Sequence, residues 1–213
     1  MTGLARRRLV LFLALSLLPG LRAQPRPFSH QAHLRLQLTC VSCHPAAAGS
    51  ARAEDNLLPP ARACQGCHAE AAVKKPRRTL VHRFSHRQHV ALGSVAPLLR
   101  AAVASGRYLS PPGALLEQLE AAGNNACAAC HRGLERSTQV SAENFPRMAD
   151  CLVCHDKIDP PFSCETCHDR STPLKPASHT PLYLDEHSRR DAGLDKASCA
   201  VCHGRHFTCL GCH

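Results

Sequence analysis

The chain has 213 residues, of which 14 are Cys and 15 His, with 6 Phe, 2 Tyr, no Trp and a formal charge of +10. A globular enzyme of this length normally buries large aromatics and carries few thiols. The composition therefore excludes a conventional apolar core and calls for something other than side chains to fill the interior. The 12 Gly and 16 Pro are too few for a low-complexity polymer, and the length allows one or two domains.

Residues 1–23 read as a secretory signal peptide. Arg6, Arg7 and Arg8 form a basic start, Leu9 to Leu18 an apolar run, and Pro19 and Gly20 break it. Cleavage after Ala23 would leave Gln24 first, although Leu21 is not the small residue usual two positions earlier. The run falls short of the roughly 20 residues needed to span a bilayer; an uncleaved anchor is the competing reading. No later stretch approaches that length. The expectation is a soluble, exported, periplasmic protein that meets a membrane only through a partner.

Three blocks follow. Residues 24–76 hold Phe28-Ser29-His30-Gln31-Ala32-His33, then Cys40-Val41-Ser42-Cys43-His44 and Cys64-Gln65-Gly66-Cys67-His68, whose first cysteines lie 24 positions apart. Residues 77–172 open on Phe84-Ser85-His86-Arg87-Gln88-His89. After an insert at about 90–123 come Cys127-Ala128-Ala129-Cys130-His131 and Cys151-Leu152-Val153-Cys154-His155, again 24 apart, then Cys164-Glu165-Thr166-Cys167-His168. The shared layout marks an internal repeat. Residues 173–213 hold Cys199-Ala200-Val201-Cys202-His203 and Cys209-Leu210-Gly211-Cys212-His213. Phe162-Ser163 and Phe207-Thr208 precede the second motif of each closely spaced pair.

Regular structure should be sparse: short helical turns at the motifs, Pro-rich connections such as Pro59-Pro60 and Pro160-Pro161, and little or no β. Two longer helices are predicted in the insert, roughly Val95 to Leu109 and Pro112 to Ala122, with Pro112 at a start and Gly123 at an end. Their Leu/Ala faces at helical spacing read as a packed structural spacer; the competing reading is a docking surface or a cover over a cofactor edge.

All 14 cysteines fall in seven C-x-x-C-H motifs, with none left over. That is the attachment signal for c-type haem. Two thiols three positions apart share about one helical turn. They reach the two vinyl groups on one porphyrin side, and the next residue turns its imidazole to the iron. A disulfide scaffold, the usual use of exported cysteines, needs no His after each second Cys. A zinc site wants four gathered ligands. Seven repetitions of His set both readings below seven covalently attached haem c groups. These would use Cys40, Cys43, Cys64, Cys67, Cys127, Cys130, Cys151, Cys154, Cys164, Cys167, Cys199, Cys202, Cys209 and Cys212, with iron on His44, His68, His131, His155, His168, His203 and His213. About 27 mature residues per haem would make stacked haems the core.

The chain resembles the multihaem c-type cytochromes, and in particular the small trihaem and tetrahaem class III cytochromes c, which open with Phe-x-His-x-x-His. It departs from them in having seven motifs and a long insert before Cys127. The resemblance implies that both His of that element bind iron, on different haems, and so points to His30, His33, His86 and His89. Of the other non-motif histidines, His206 lies between two motifs, and His179 and His187 lie upstream of the last pair. These three are further candidates, and His82 is the expected spare. Met148 is the only Met after the initiator, so bis-His haems of low potential are expected.

The signal segment holds four Arg, so the mature chain is +6. With two propionates per haem the holoprotein nets about −1 oxidised and about −8 reduced. The apparent basicity is then no sign of nucleic-acid binding. Lys74-Lys75-Pro76-Arg77-Arg78 reads equally as a solvated linker and as a run that pairs with propionates or steers an acidic partner. The leading expectation is a non-enzymatic electron carrier whose partners are periplasmic or membrane redox proteins, with no small-molecule substrate. One alternative is a reductase of nitrite, hydroxylamine or a sulfur oxyanion with one open haem. Related nitrite reductases mark such a site with Lys in place of the motif His, and no such motif occurs here. The other alternative is an electron-transfer subunit of a membrane complex.

Overall fold

The computed structural model describes residues 28–69, 80–156, 163–187, 189 and 196–204. The signal segment, Lys74 to Arg78, Pro160 to Phe162, His206 and the motif at 209–213 lie outside the described residues. Within the described ones the chain is helical and irregular, with no strand. None of its helices is long and apolar enough to cross a membrane.

The helices are short. They are α1 (His30–Leu34), α2 (Cys40–Cys43), α3 (Ala61–Gln65), α4 (His86–Ala91), α5 (Ala96–Ala104), α6 (Leu115–Ala122), α7 (Ala126–Cys130), α8 (Met148–Leu152), α9 (Tyr183–His187) and α10 (Lys196–His203). Most are single turns, marginal in isolation, so each depends on a cap or on what it packs against. Ser29 and Ser85 cap α1 and α4: their Oγ atoms accept the Ala32 and Gln88 N–H groups at 3.2 and 3.3 Å. Asn125 caps α7 by accepting from the Cys127 and Ala128 N–H groups.

The two predicted insert helices are present but shorter than expected. The first stops at Ala104 instead of Leu109. Gly106 takes a positive φ of 68°, and the Arg107 N–H turns back to the Ala102 carbonyl at 2.8 Å, the glycine-dependent stop of a Schellman-type end. The second begins at Leu115, because Pro112 sits in the turn that receives the Leu115 N–H. It ends at Gly123 as expected. Ser94 ties the hairpin shut, donating to the Gly123 carbonyl at 2.7 Å.

This hairpin holds the apolar core of the described residues. Leu99, Leu115 and Leu119 are its largest fully buried side chains, joined by Tyr108, Ala96, Ala102 and Ala122. Burying each leucine stabilises by roughly 1.5–3 kcal/mol. Ala129 of α7 and Ala149 of α8 belong to the same cluster. The insert is thus packed onto the two motifs that follow it.

A buried polar network reinforces that junction. The Arg132 guanidinium pairs with the Asp150 carboxylate at 2.7 Å, both almost fully buried. Asp150 also accepts the Tyr108 hydroxyl at 2.8 Å and the Arg147 N–H at 2.7 Å. Burial, then the Asp150 charge, pushes the Tyr108 phenol far up, so it remains a donor. Every oxygen that left water has a partner, as a buried charge requires.

Candidate haem-binding site

Each described motif folds the same way locally. The histidine N–H donates to the carbonyl of the first cysteine: His44 to Cys40 at 2.8 Å, His68 to Cys64 at 2.9 Å, His131 to Cys127 at 2.8 Å, His155 to Cys151 at 2.9 Å and His168 to Cys164 at 3.0 Å. This i to i+4 bond closes one helical turn. It puts both thiols and the imidazole on one short rigid piece. His203 ends α10, which carries Cys199 and Cys202. No disulfide joins any two of the described cysteines.

The imidazoles then meet in pairs. His30 faces His44 with ring centres 6.4 Å apart and planes within 10°. His86 faces His131 at 6.4 Å and 9°. His33 faces His68 at 6.0 Å and 46°, and His89 faces His155 at 6.3 Å and 41°. His179 faces His203 at 6.2 Å and 7°. Each pair joins one motif histidine to one non-motif histidine. A metal held between two imidazole nitrogens at ~2 Å each, with about 1.1 Å from nitrogen to ring centre, sets the centres roughly 6.2 Å apart. Spacings near 6 Å also occur in ordinary aromatic pairs. The recurrence of one value in five motif-to-non-motif pairs is what ordinary packing does not produce.

Backbone carbonyls fix the rings. His44 Nδ1–H donates to the Leu57 carbonyl at 2.6 Å, and His131 Nδ1–H to that of Asn144 at 3.1 Å. His168 does so to Leu80 at 2.8 Å, His33 to Ser29 at 2.8 Å, His89 to Ser85 at 2.8 Å and His187 to Tyr183 at 2.6 Å. A carbonyl only accepts, so Nδ1 carries the proton and Nε2 keeps its lone pair for a metal. Burial, followed by neighbouring imidazoles, pushes His30 and His86 below the ordinary histidine range. Burial does the same to His131. In all three the shift favours the neutral ring, the form that ligates. His30 and His86 each keep a buried Nδ1 without a partner, at equivalent places in the two repeats. An orphaned buried nitrogen costs about 1–3 kcal/mol. Its repetition marks these rings as placed for something the polypeptide does not supply. The residues present fit a haem iron between each pair.

Aromatic rings prop the non-motif histidines. Phe28 stacks on His33 at 4.5 Å, and Phe84 on His89 at 4.4 Å. Tyr183 lies parallel to both His179 and His187, at 4.5 and 4.8 Å. Tyr183 thus takes in the third block the place of Phe28 and Phe84. The even spacing of His179, Tyr183 and His187, four positions apart, is the signal that sequence reading passes over. The carbonyls of Leu57, Asn144 and Leu80 had no such signal, since any residue supplies one.

Two histidines stand apart. His168 is the one described motif histidine that no described imidazole faces. His82 donates its backbone N–H to the Cys167 carbonyl at 2.9 Å, and its Nδ1 lies 3.4 Å from the Glu54 carboxylate. That places it beside the 164–168 motif with its ring turned to an acid. Among the described residues, no three or more His, Cys, Asp or Glu gather round one point as a bare metal ion would need. Comparison with protein-family models, curated proteins and solved structures gave no match.

Proposed function

We propose that the chain is an exported heptahaem c-type cytochrome that carries electrons between periplasmic or membrane redox proteins. The observation that carries this reading is the set of five facing histidine pairs, each anchored on a C-x-x-C-H motif. Bound haem supplies a one-electron iron couple whose potential follows its axial ligands and surroundings. The polypeptide does the rest. Paired cysteines would hold the porphyrin edge, and the motif histidines would bind its iron. His30, His33, His86, His89 and His179 would give each facing iron a second imidazole, with His187 and His206 proposed for further haems. Two imidazoles per iron leave no position for a substrate, which suits transfer and not catalysis. Imidazole in place of methionine keeps the potentials low. The exposed ends of the array are where partners would exchange electrons.

The intact mass of the secreted protein, with an absorbance count of haem, tests this. Seven haems per chain is the expected result. Colourless material whose sulfurs are joined to each other or to zinc overturns it.

A second reading, a reductase with one open iron, is favoured by one observation: no described imidazole faces His168. Carbon monoxide separates the two. A pure carrier binds little when reduced, whereas one equivalent bound per chain supports the open site.

A further inference from the structure

Residues 28–69 and 80–156 contain the same parts in the same places. Ser29 and Ser85 cap equivalent helices, and His44 and His131 each bond a carbonyl 13 positions on. The first pair in each unit is parallel and the second tilted by similar angles. The second unit differs mainly by the α5–α6 hairpin inserted before its first motif.

The two units also exchange parts. α1 of the first packs on the 134–136 turn of the second, and α4 of the second on the 47–49 turn of the first. The Gln31 N–H donates to the Ser137 carbonyl at 3.0 Å, and the Arg87 N–H to the Ser50 carbonyl at 2.8 Å. Gln31 and Arg87 are equivalent under the repeat, as are Ser50 and Ser137. The contacts are therefore reciprocal, as in an isologous dimer. The Cys40 and Cys127 thiols, also equivalent, lie close enough to act on each other electrostatically. A residue that meets its own counterpart lies on the axis relating the halves.

We infer that these segments are two copies of one two-motif unit, interlocked about a pseudo-two-fold axis between Cys40 and Cys127, and that the motifs follow each other in space in the order 64–68, 40–44, 127–131, 151–155, 164–168, 199–203. The neighbours are visible along the whole series. α2 packs on α3, joining the first two motifs. Cys40 meets Cys127. Arg132 and Asp150 bridge the next two. The Cys151 thiol sits near both Cys130 and Cys167, and Cys202 near Cys164. Electrons would cross between halves at the 40–44 and 127–131 motifs, and the 64–68 motif would be a terminus although it is second in sequence. This rests on the haem reading above and specifies its path.

Two porphyrins in contact couple their Soret transitions and give a bisignate circular dichroism band. The 40–44 motif has neighbours on both sides in the inferred order, whereas 64–68 has one. Removing the former in the holoprotein (Cys40→Ala with Cys43→Ala) should reduce the couplet more than removing the latter (Cys64→Ala with Cys67→Ala). A linear arrangement in sequence order demands the reverse. An equal or reversed loss overturns the inference. Should either variant fail to mature, hydrogen exchange on the wild-type holoprotein decides it. The Gln31 and Arg87 amides should exchange on the order of 100-fold or more slowly than open loop amides. Loop-like exchange at both overturns the interlock. A colourless protein, by contrast, sinks the haem reading itself.

Discussion

The imidazole of His86 lies parallel to that of His131, with ring centres 6.4 Å apart, though His86 opens α4, His131 directly follows α7, and a hairpin separates them in the chain. The pair is set from both sides, by the Ser85 cap on α4 and the Asn144 carbonyl on His131. On the haem reading proposed above, replacing His86 would change one iron ligand and leave the Cys127 and Cys130 attachments in place. His86→Met should raise the potential of one haem by on the order of 0.1–0.2 V, within the ~0.8 V range that axial ligands command. Spectroelectrochemical titration should show one component displaced and the haem count unchanged.

Asp150 is the hub of the buried network between the third and fourth motifs. Asp150→Ala removes the partner of a guanidinium that is 2% exposed and orphans the Tyr108 hydroxyl as well. Breaking a buried pair this way costs about 3–5 kcal/mol. The double change Arg132→Met with Asp150→Leu removes both charges and should recover much of that loss. Denaturant unfolding of the holoproteins measures both.

The hairpin separates buried from exposed leucines on one helix. Leu99→Ala opens a cavity beneath α5 and should cost about 2–5 kcal/mol. Leu98, which is 55% exposed, should cost under about 0.5 kcal/mol when changed to Ala. Neither change should alter the haem count, because the hairpin holds no motif cysteine. Melting of the two variants beside wild type gives the comparison.

Asp55 organises the turn that receives the Arg87 N–H. Its carboxylate accepts the Ser50 hydroxyl at 3.0 Å and the Arg52 N–H at 3.2 Å. The Ser50 bond first, then the Arg52 N–H, hold its pKa below the ordinary value. A depressed folded pKa contributes stability that is complete above the unfolded value and fades as pH falls through the folded one. Protection of the Arg87 amide should therefore hold above about pH 4 and weaken below it. Asp55→Asn should show weakened protection already at neutral pH, with no further acid step. Hydrogen exchange of both proteins at matched pH is the measurement.

The motifs were legible because their chemistry is local. Thiol, thiol and imidazole within five positions need only one helical turn, and the His N–H to Cys carbonyl bond supplies it wherever the pattern occurs. The repeat and the two insert helices were legible for the same reason, as spacing and apolar periodicity survive without tertiary context. The helix ends were less so. Gly106 stopped α5 five residues early in a turn that also delivers Tyr108 to Asp150, and no pattern in the insert announces that distant acid.

Sequence alone therefore determined which side chains share the C-x-x-C-H turn, and that the first two blocks share a plan. Only the tertiary structure decided which imidazole faces which, that Tyr183 stands in for a phenylalanine, and that α1 and α4 are traded between units. Attachment depends on neighbours a few bonds apart, which composition and spacing fix. Partnering depends on where separate segments come to rest, and that is set by caps, carbonyls and one buried ion pair that carry no signature of their own in the chain.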